Sequence, residues 1–251
     1  MTPAGLDDVI WKAPDFWRYR GGYHTLKGED YGPAYQAVEA LSMPLNFSYQ
    51  NKEELLRRKR INEHLLERIK NKSEKARILR ELGTVNLLLS ETRTAIECYE
   101  QELGIAKEIG DRQNEGASLG NLGQIYILLG EARKAIEYYE RALAITKEIG
   151  DRWNEAVWLS NLGNAHGELG EYCKAIEYYE QALTIAKEIG DKRGEGSVLW
   201  NMSLALDQLG ERAQAIECAQ AAFQIYEPIG GPQAETVKRK LQESESQQHT
   251  Q

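Results

Sequence analysis

Proline is missing from the whole middle of this 251-residue chain: its six prolines lie at or before Pro44 or at Pro228 and Pro232, and none occurs from Leu45 to Glu227. Proline removes a backbone donor and clashes with the preceding helical turn, so its absence fits a nearly all-helical body. Long apolar runs are missing too. None approaches the ~18–20 residues that a membrane-spanning helix requires, so no membrane partner is expected. Cysteine is scarce, three in all, an odd count with no metal-ligand spacing. Cys98 and Cys218 share the repeat slot that holds Tyr138 and Tyr178, as packed thiols of a reducing cytoplasm would. The opening MTPAGLDDVI has no basic-then-apolar order, so no secretory leader is expected and a cytoplasmic location is. A P-loop, nucleophile elbow, zinc motif and paired-carboxylate site are all absent, so no catalytic residue, cofactor or metal ligand is expected. His24, His64 and His249 have no partners at ligand spacing.

What is present is a repeat. The stretch EGASLGNLGQIYILLGEARKAIEYYERALAITKEIG from Glu115 to Gly150 returns from Glu155 to Gly190 and again from Glu195 to Gly230, and an older copy runs from Lys75 to Gly110. Gly110, Gly150, Gly190 and Gly230 hold one offset, as do Leu82, Leu122, Leu162 and Met202. A fixed period of this size means stacked supersecondary units, each burying its apolar face against its neighbours. In the best copy a first helix is expected from about Arg112 to Leu129, ended by Gly130. A second is expected from about Ala132 to Ile149, ended by Gly150, with Asp151 capping the next. Gly123 and Gly163 mark close helix approaches; Tyr139 and Tyr179 fill wider gaps. Glu102 stands in the slot of Ala142, Ala182 and Ala222, which marks repeat one as the weak copy.

Around the four repeats, assigned to residues 73–230, the chain divides further. Residues 1–49 are irregular, with features of a decayed helical hairpin. Residues 50–72 form a long basic helix, and residues 50–80 hold eleven Lys/Arg against five Asp/Glu in a chain of net charge −8. A capping helix is expected over 231–244 and a disordered tail over 245–251.

Leu122-Gly123-x-x-Tyr126, followed by Ala135, Tyr139 and Ala142 at offsets kept from copy to copy, resembles the tetratricopeptide repeat. The resemblance covers roughly residues 75–230. Its forty-residue length resembles the long-helix variant found in cell-polarity adaptors and in the C-terminal arms of bacterial STAND (NB-ARC-type) NTPases. The wording EIGDRxNEGxxLGNLG is especially similar to those arms. The resemblance implies an all-α, right-handed superhelical solenoid of antiparallel helix pairs, with about four regular repeats, a degenerate N-terminal hairpin and a C-terminal capping helix. It implies a non-enzymatic scaffold or adaptor in signalling, whose first helices line a concave groove for an extended segment of a protein or peptide partner. No GxxxxGK(S/T) loop is present, so ATP binding does not carry over and an NTPase would be a partner in trans.

Matching the repeat slots puts Arg80, Asn121, Gln124, Asn161, Asn164, Trp200 and Asn201 in that groove. Asn121, Asn161 and Asn201 recur once per repeat, and an amide offers both a donor and an acceptor to a peptide main chain. Trp200 occupies the slot of Arg80, Gly120 and Ser160; it is either an aromatic anchor for a partner or packing against Leu204. The family's two-carboxylate clamp is matched by Arg80 and Asn121, but Thr84, Val157 and Asn161 replace its other members, which argues against chaperone-tail recognition. His166 replaces Tyr126 and reads as a core or half-buried histidine. The run Arg57, Arg58, Lys59 and Arg60 is either a solvated helix face or a grip for an acidic protein or nucleic acid; it lacks interleaved aromatics, and nucleic acid is the weaker of those partners.

Overall fold

The computed structural model describes residues 52–228 and 232–248, so the decayed hairpin expected over 1–49 lies outside the described residues. Those residues are helical throughout apart from short turns, and no strand occurs among them. They fall into two compact units, one ending at Gly110 and one beginning at Asp111.

The first unit holds α1 (Lys52–Arg68), α2 (Lys72–Leu88) and α3 (Thr92–Ile109). The side chain of Asn71 caps α2 by accepting from the Glu74 N–H at 3.1 Å. Leu65 and Ile69 of the α1 end pack on Ile78, Leu82 and Cys98. Glu102 is wholly buried, as its alanine slot predicts, but it is not a bare charge: the Nε of Arg80 donates to it at 2.6 Å. Two of the departures of repeat one from its sister copies, Arg80 and Glu102, therefore form one ion pair.

The second unit holds α4 (Arg112–Leu128), α5 (Ala132–Ile149), α6 (Arg152–Glu168), α7 (Tyr172–Ile189), α8 (Lys192–Gln208), α9 (Arg212–Tyr226) and α10 (Pro232–Gln248). Helices α4 and α5, α6 and α7, and α8 and α9 pair as hairpins, and α5 and α7 each pack on the first helix of the following hairpin. Ala135, Tyr139, Ala142 and Ile145 are buried along α5, and Ala175, Tyr179, Ala182 and Ile185 repeat that stripe on α7. Each fully buried large apolar side chain contributes roughly 1.5–3 kcal/mol.

The conserved wording at each repeat junction is a set of end fittings. Gly150 takes φ +72°, and the N–H of Asp151 reaches back to the Thr146 carbonyl at 2.9 Å. Asp151 then caps α6 through the Asn154 N–H at 3.1 Å. Glu155, one residue too late for a capping box, has another partner: Arg152 donates to it at 2.6 Å and also bridges Glu188 at the end of α7. Arg112 joins Glu115 and Glu148 in the same way, so one guanidinium ties the start of a first helix to the end of its own second helix.

Helix α10 closes the C-terminal side of this unit. Its Ala234 and Val237 are buried with Ala219 and Tyr226, and Lys240 bridges Asp207 at 3.1 Å. It runs to Gln248, beyond the end expected at 244 and into the stretch expected to be a disordered tail.

The turn after each first helix adopts a left-handed residue: Gly130, Gly170 and Gly210 in the second unit, but Ser90, at φ +63°, in the first. A side chain there costs about 1 kcal/mol. Ser90→Gly is therefore expected to stabilise the first unit by about that amount, and Gly130→Ser to destabilise the second by as much. Chemical denaturation of the full chain, followed by hydrogen exchange resolved to each unit, measures both changes; a loss of stability in Ser90→Gly contradicts the strain assigned to that turn.

Candidate functional site

The first helices of the second unit lie side by side, α4 against α6 and α6 against α8. One face of each carries residues spaced three and four apart, the spacing that keeps side chains on one side of a helix. On α4 these are Ala117, Asn121 and Gln124; on α6, Val157, Ser160, Asn161 and Asn164; on α8, Ser197, Trp200, Asn201 and Leu204. All are half-buried or exposed. None of these carries a charge; Arg112, Arg152 and Lys192 of the same helices are engaged with glutamates at the hairpin ends. Among the described residues no group of three His, Cys, Asp or Glu side chains is placed to hold a metal ion.

The asparagines are not equivalent. Asn201 donates to the Oδ1 of Asn164 at 3.0 Å, and the same oxygen accepts from the Tyr179 hydroxyl at 2.7 Å. Burial pushes the Tyr179 hydroxyl well above its usual range, with Glu168 adding to the shift, so it remains a protonated donor. Asn164 and Asn201 thus brace α6 against α8 and spend part of their capacity on each other. Asn121 and Asn161 form no side-chain hydrogen bond with another described residue, and Gln124 is exposed.

The aromatic residues divide differently from the slot pattern. Trp200 is half-buried, and its partners are Ala219, Tyr226, Ala234 and Val237 at the C-terminal end of the unit, not a bare groove wall or Leu204 alone. Trp158 is core: its ring covers Gly120, where an added Cβ would stand 2.1 Å from it, so the Gly120 slot is closed. Trp153, which slot matching passed over, is 57% exposed in the first turn of α6. Its sister residues are Gln113 and Arg193; an aromatic among polar slot-mates, the signal that singled out Trp200, also marks Trp153. His166 is buried, stacks on Tyr178 with ring centroids 5.2 Å apart, and hydrogen-bonds Glu171 at 2.8 Å. That contact, helped by Lys174, holds the Glu171 carboxyl below its ordinary range.

In the first unit the candidate cations have partners within the fold. The Nε of Arg80 donates to Glu102, while its side chain stays partly exposed. The basic run is not an open cationic face. Arg58 is 5% exposed and bonded to Glu81 at 2.7 Å, Lys59 bridges Glu91, and Arg57 lies 3.8 Å from Glu54; Arg60 is exposed. Arg58 and Lys59 fasten α1 to α2 and its following turn.

The sequence pattern of the tetratricopeptide repeat matches residues 73–148 and 154–227. No curated protein matches the sequence. Among solved structures, BtubC (BKLC) from P. vanneervenii is similar, with a TM-score of 0.69 and 19% identity over 77% of this chain and 80% of that one. A signal transduction ATPase with numerous domains (STAND) that carries a tetratricopeptide repeat sensor, from Pyrococcus horikoshii, gives 0.65 and 22% over 83% of this chain and 33% of that one. A Rap protein complexed with competence and sporulation factor gives 0.67 and 18% over 76% and 53%. The chain spans about a third and about half of the last two proteins, and at these identities the likeness is one of fold.

The Arg80–Glu102 pair makes a clean test of the structural role. Arg80→Ala removes the Nε donor of a buried carboxylate and is expected to destabilise the first unit by about 3 kcal/mol, the low end for a broken buried pair because Arg80 is partly exposed. Arg80→Gly with Glu102→Ala, the residues of repeat two, is expected to restore most of it in urea melts. A double variant no more stable than Arg80→Ala refutes the pairing.

Proposed function

We propose, since the chain belongs to the tetratricopeptide repeat family, that it is a non-enzymatic adaptor whose second unit holds an extended segment of a partner protein across α4, α6 and α8. The observation that carries this reading is a run of uncharged, accessible side chains on adjacent first helices, with the amides of Asn121 and Asn161 unengaged by any described residue. An amide supplies a donor and an acceptor, which is what a peptide main chain requires. Trp153 supplies an exposed aromatic anchor beside them. A surface already folded costs little ordering energy on the receptor side. Main-chain recognition on an uncharged face also argues against an acidic tail or nucleic acid as the occupant. The cysteines are unpaired, in keeping with a reducing cytoplasm, and no helix among the described residues is long and apolar enough to cross a membrane.

A second reading has one observation in its favour. The likeness to the Pyrococcus horikoshii STAND protein with its tetratricopeptide repeat sensor supports a sensor arm that works with an ATPase in trans. Under that reading the captured partner is itself an ATPase, and adding this chain changes its turnover.

Crosslinking in the native host, followed by trimming of the captured partner to its minimal bound segment, supplies the ligand for calorimetry. Asn121→Ala and Asn161→Ala are each expected to weaken binding by about 0.5–1.5 kcal/mol, the usual net worth of a hydrogen bond. Trp153→Ala is expected to cost about 2 kcal/mol or more. Thermal melts should not move, because all three side chains are accessible. Unchanged affinity in the triple variant places the partner on another face.

A further inference from the structure

Where α8, α9 and α10 meet, the second unit contains a cleft of about 230 Å³ lined by Ser197, Trp200, Tyr226, Gln233, Thr236 and Val237. Its two ends differ in chemistry. The indole of Trp200, the ring of Tyr226 and Val237, which is buried, make an apolar floor. Ser197, Gln233 and Thr236 are exposed and make an uncharged polar rim. The charges that act on the Tyr226 hydroxyl, Arg193 and Asp191, are opposite in sign and oppose each other there. The size is informative: a dry apolar cavity of roughly 150 Å³ takes a benzene, so this one has room for a single ring or branched aliphatic group and little more.

We propose that this cleft is a side-chain pocket that takes one uncharged apolar residue, aromatic or branched aliphatic, from the bound segment. The assignment rests on the partner segment proposed above and specifies its chemistry. Two features choose this occupant. The side chains that line the cleft carry no charge, so a charged group would leave water without an ionic partner in the lining, whereas an apolar one gains from the floor. The pocket also shares α8 with the asparagine surface, because Trp200 of its floor directly precedes Asn201. Main-chain contacts to amides give such a site affinity without sequence preference, and a pocket at one end supplies the preference and the register. Trp200 then has a double position: its packing on Ala219 and Val237 fixes the ring, and the fixed ring forms the floor. Helix α10 becomes one wall of a recognition site as well as a cover for the last repeat.

The test uses the full chain and small probes, so it does not depend on the asparagine surface. The indole N–H resonances of the five tryptophans are recorded, and that of Trp200 is assigned from Trp200→Phe. N-acetyl-L-phenylalanine amide and N-acetyl-L-leucine amide should shift the Trp200 signal saturably, while N-acetyl-L-glutamate amide should bind about tenfold more weakly or not at all. Thr236→Trp and, separately, Ser197→Phe fill the cleft from opposite walls and should each abolish the saturable shift, with thermal melts confirming that the variants fold. Asn121→Ala with Asn161→Ala should leave probe binding unchanged. If the apolar probes produce no saturable shift, if the glutamate probe binds equally well, or if both filled variants still bind, the pocket is overturned. Probe binding that persists while the partner segment ignores the asparagine variants overturns the main-chain surface and leaves the pocket standing.

Discussion

Three of the hairpins among the described residues depend on a tyrosine ring lying against a glycine; the last, α8 with α9, has Ser203 and Ala219 in those slots. Tyr99 covers Gly83, Tyr139 covers Gly123 and Tyr179 covers Gly163, and a Cβ on those glycines would stand 2.8, 2.7 and 2.4 Å from the ring. Contacts that short have no room for any side chain, so the two helices of a pair approach only because the first one is bare at that point. The approach sets the hairpin's width, and the alanines at Ala135, Ala142, Ala175 and Ala182 keep it along the helix. The rest follows from that spacing, including which face of each first helix is left over for display.

Charge is used at the ends of the hairpins and withheld from the displayed face. Arg112 and Arg152 each engage two glutamates, one near the start of its own helix and one at the end of the partner helix. Exposed ion pairs contribute little individually, but here the inner glutamates, Glu115 and Glu155, are buried, so the arginine also prevents an unpaired carboxylate in the packed end. The consequence for function is indirect. With Arg112, Arg152 and Lys192 committed at the junctions, the middles of α4, α6 and α8 present amides, hydroxyls and a few apolar groups, the chemistry on which the proposed peptide surface rests.

The copies depart from one another in coupled positions. Arg80 and Glu102 replace the Gly120 and Ala142 of repeat two on two packed helices and pair with each other through the Arg80 Nε. Trp158 is larger than its slot-mates Ser118 and Val198, and the ring is accommodated because Gly120 has no side chain. His166 takes over the ring stack that Tyr126 makes with Tyr138 and finds its own acceptor in Glu171. Near-identical units stack in one way, so a change on one helix is compensated on the helix it touches.

The period of the sequence alone determined the helix pairs, their glycine turns, the aspartate caps and the close approaches at Gly123 and Gly163. These are local or recur at one offset, and repetition makes the pattern visible from copy to copy. That the rings of Tyr139 and Tyr179 lie on those glycines, instead of filling separate wider gaps, was decided by packing. The period also placed Asn121, Asn161 and Gln124 on accessible positions of the first helices. Only the tertiary structure decided that Arg58 is buried against Glu81, that Arg80 belongs to Glu102, that Asn201 pairs with Asn164 rather than with Asn161, and that Trp200 lies under α10 while Trp153 is exposed. The physical reason is the same in each case. A slot in a repeat specifies which way a side chain points, but its partner lies on a different helix, at a separation unrelated to the repeat, and only packing brings the two together.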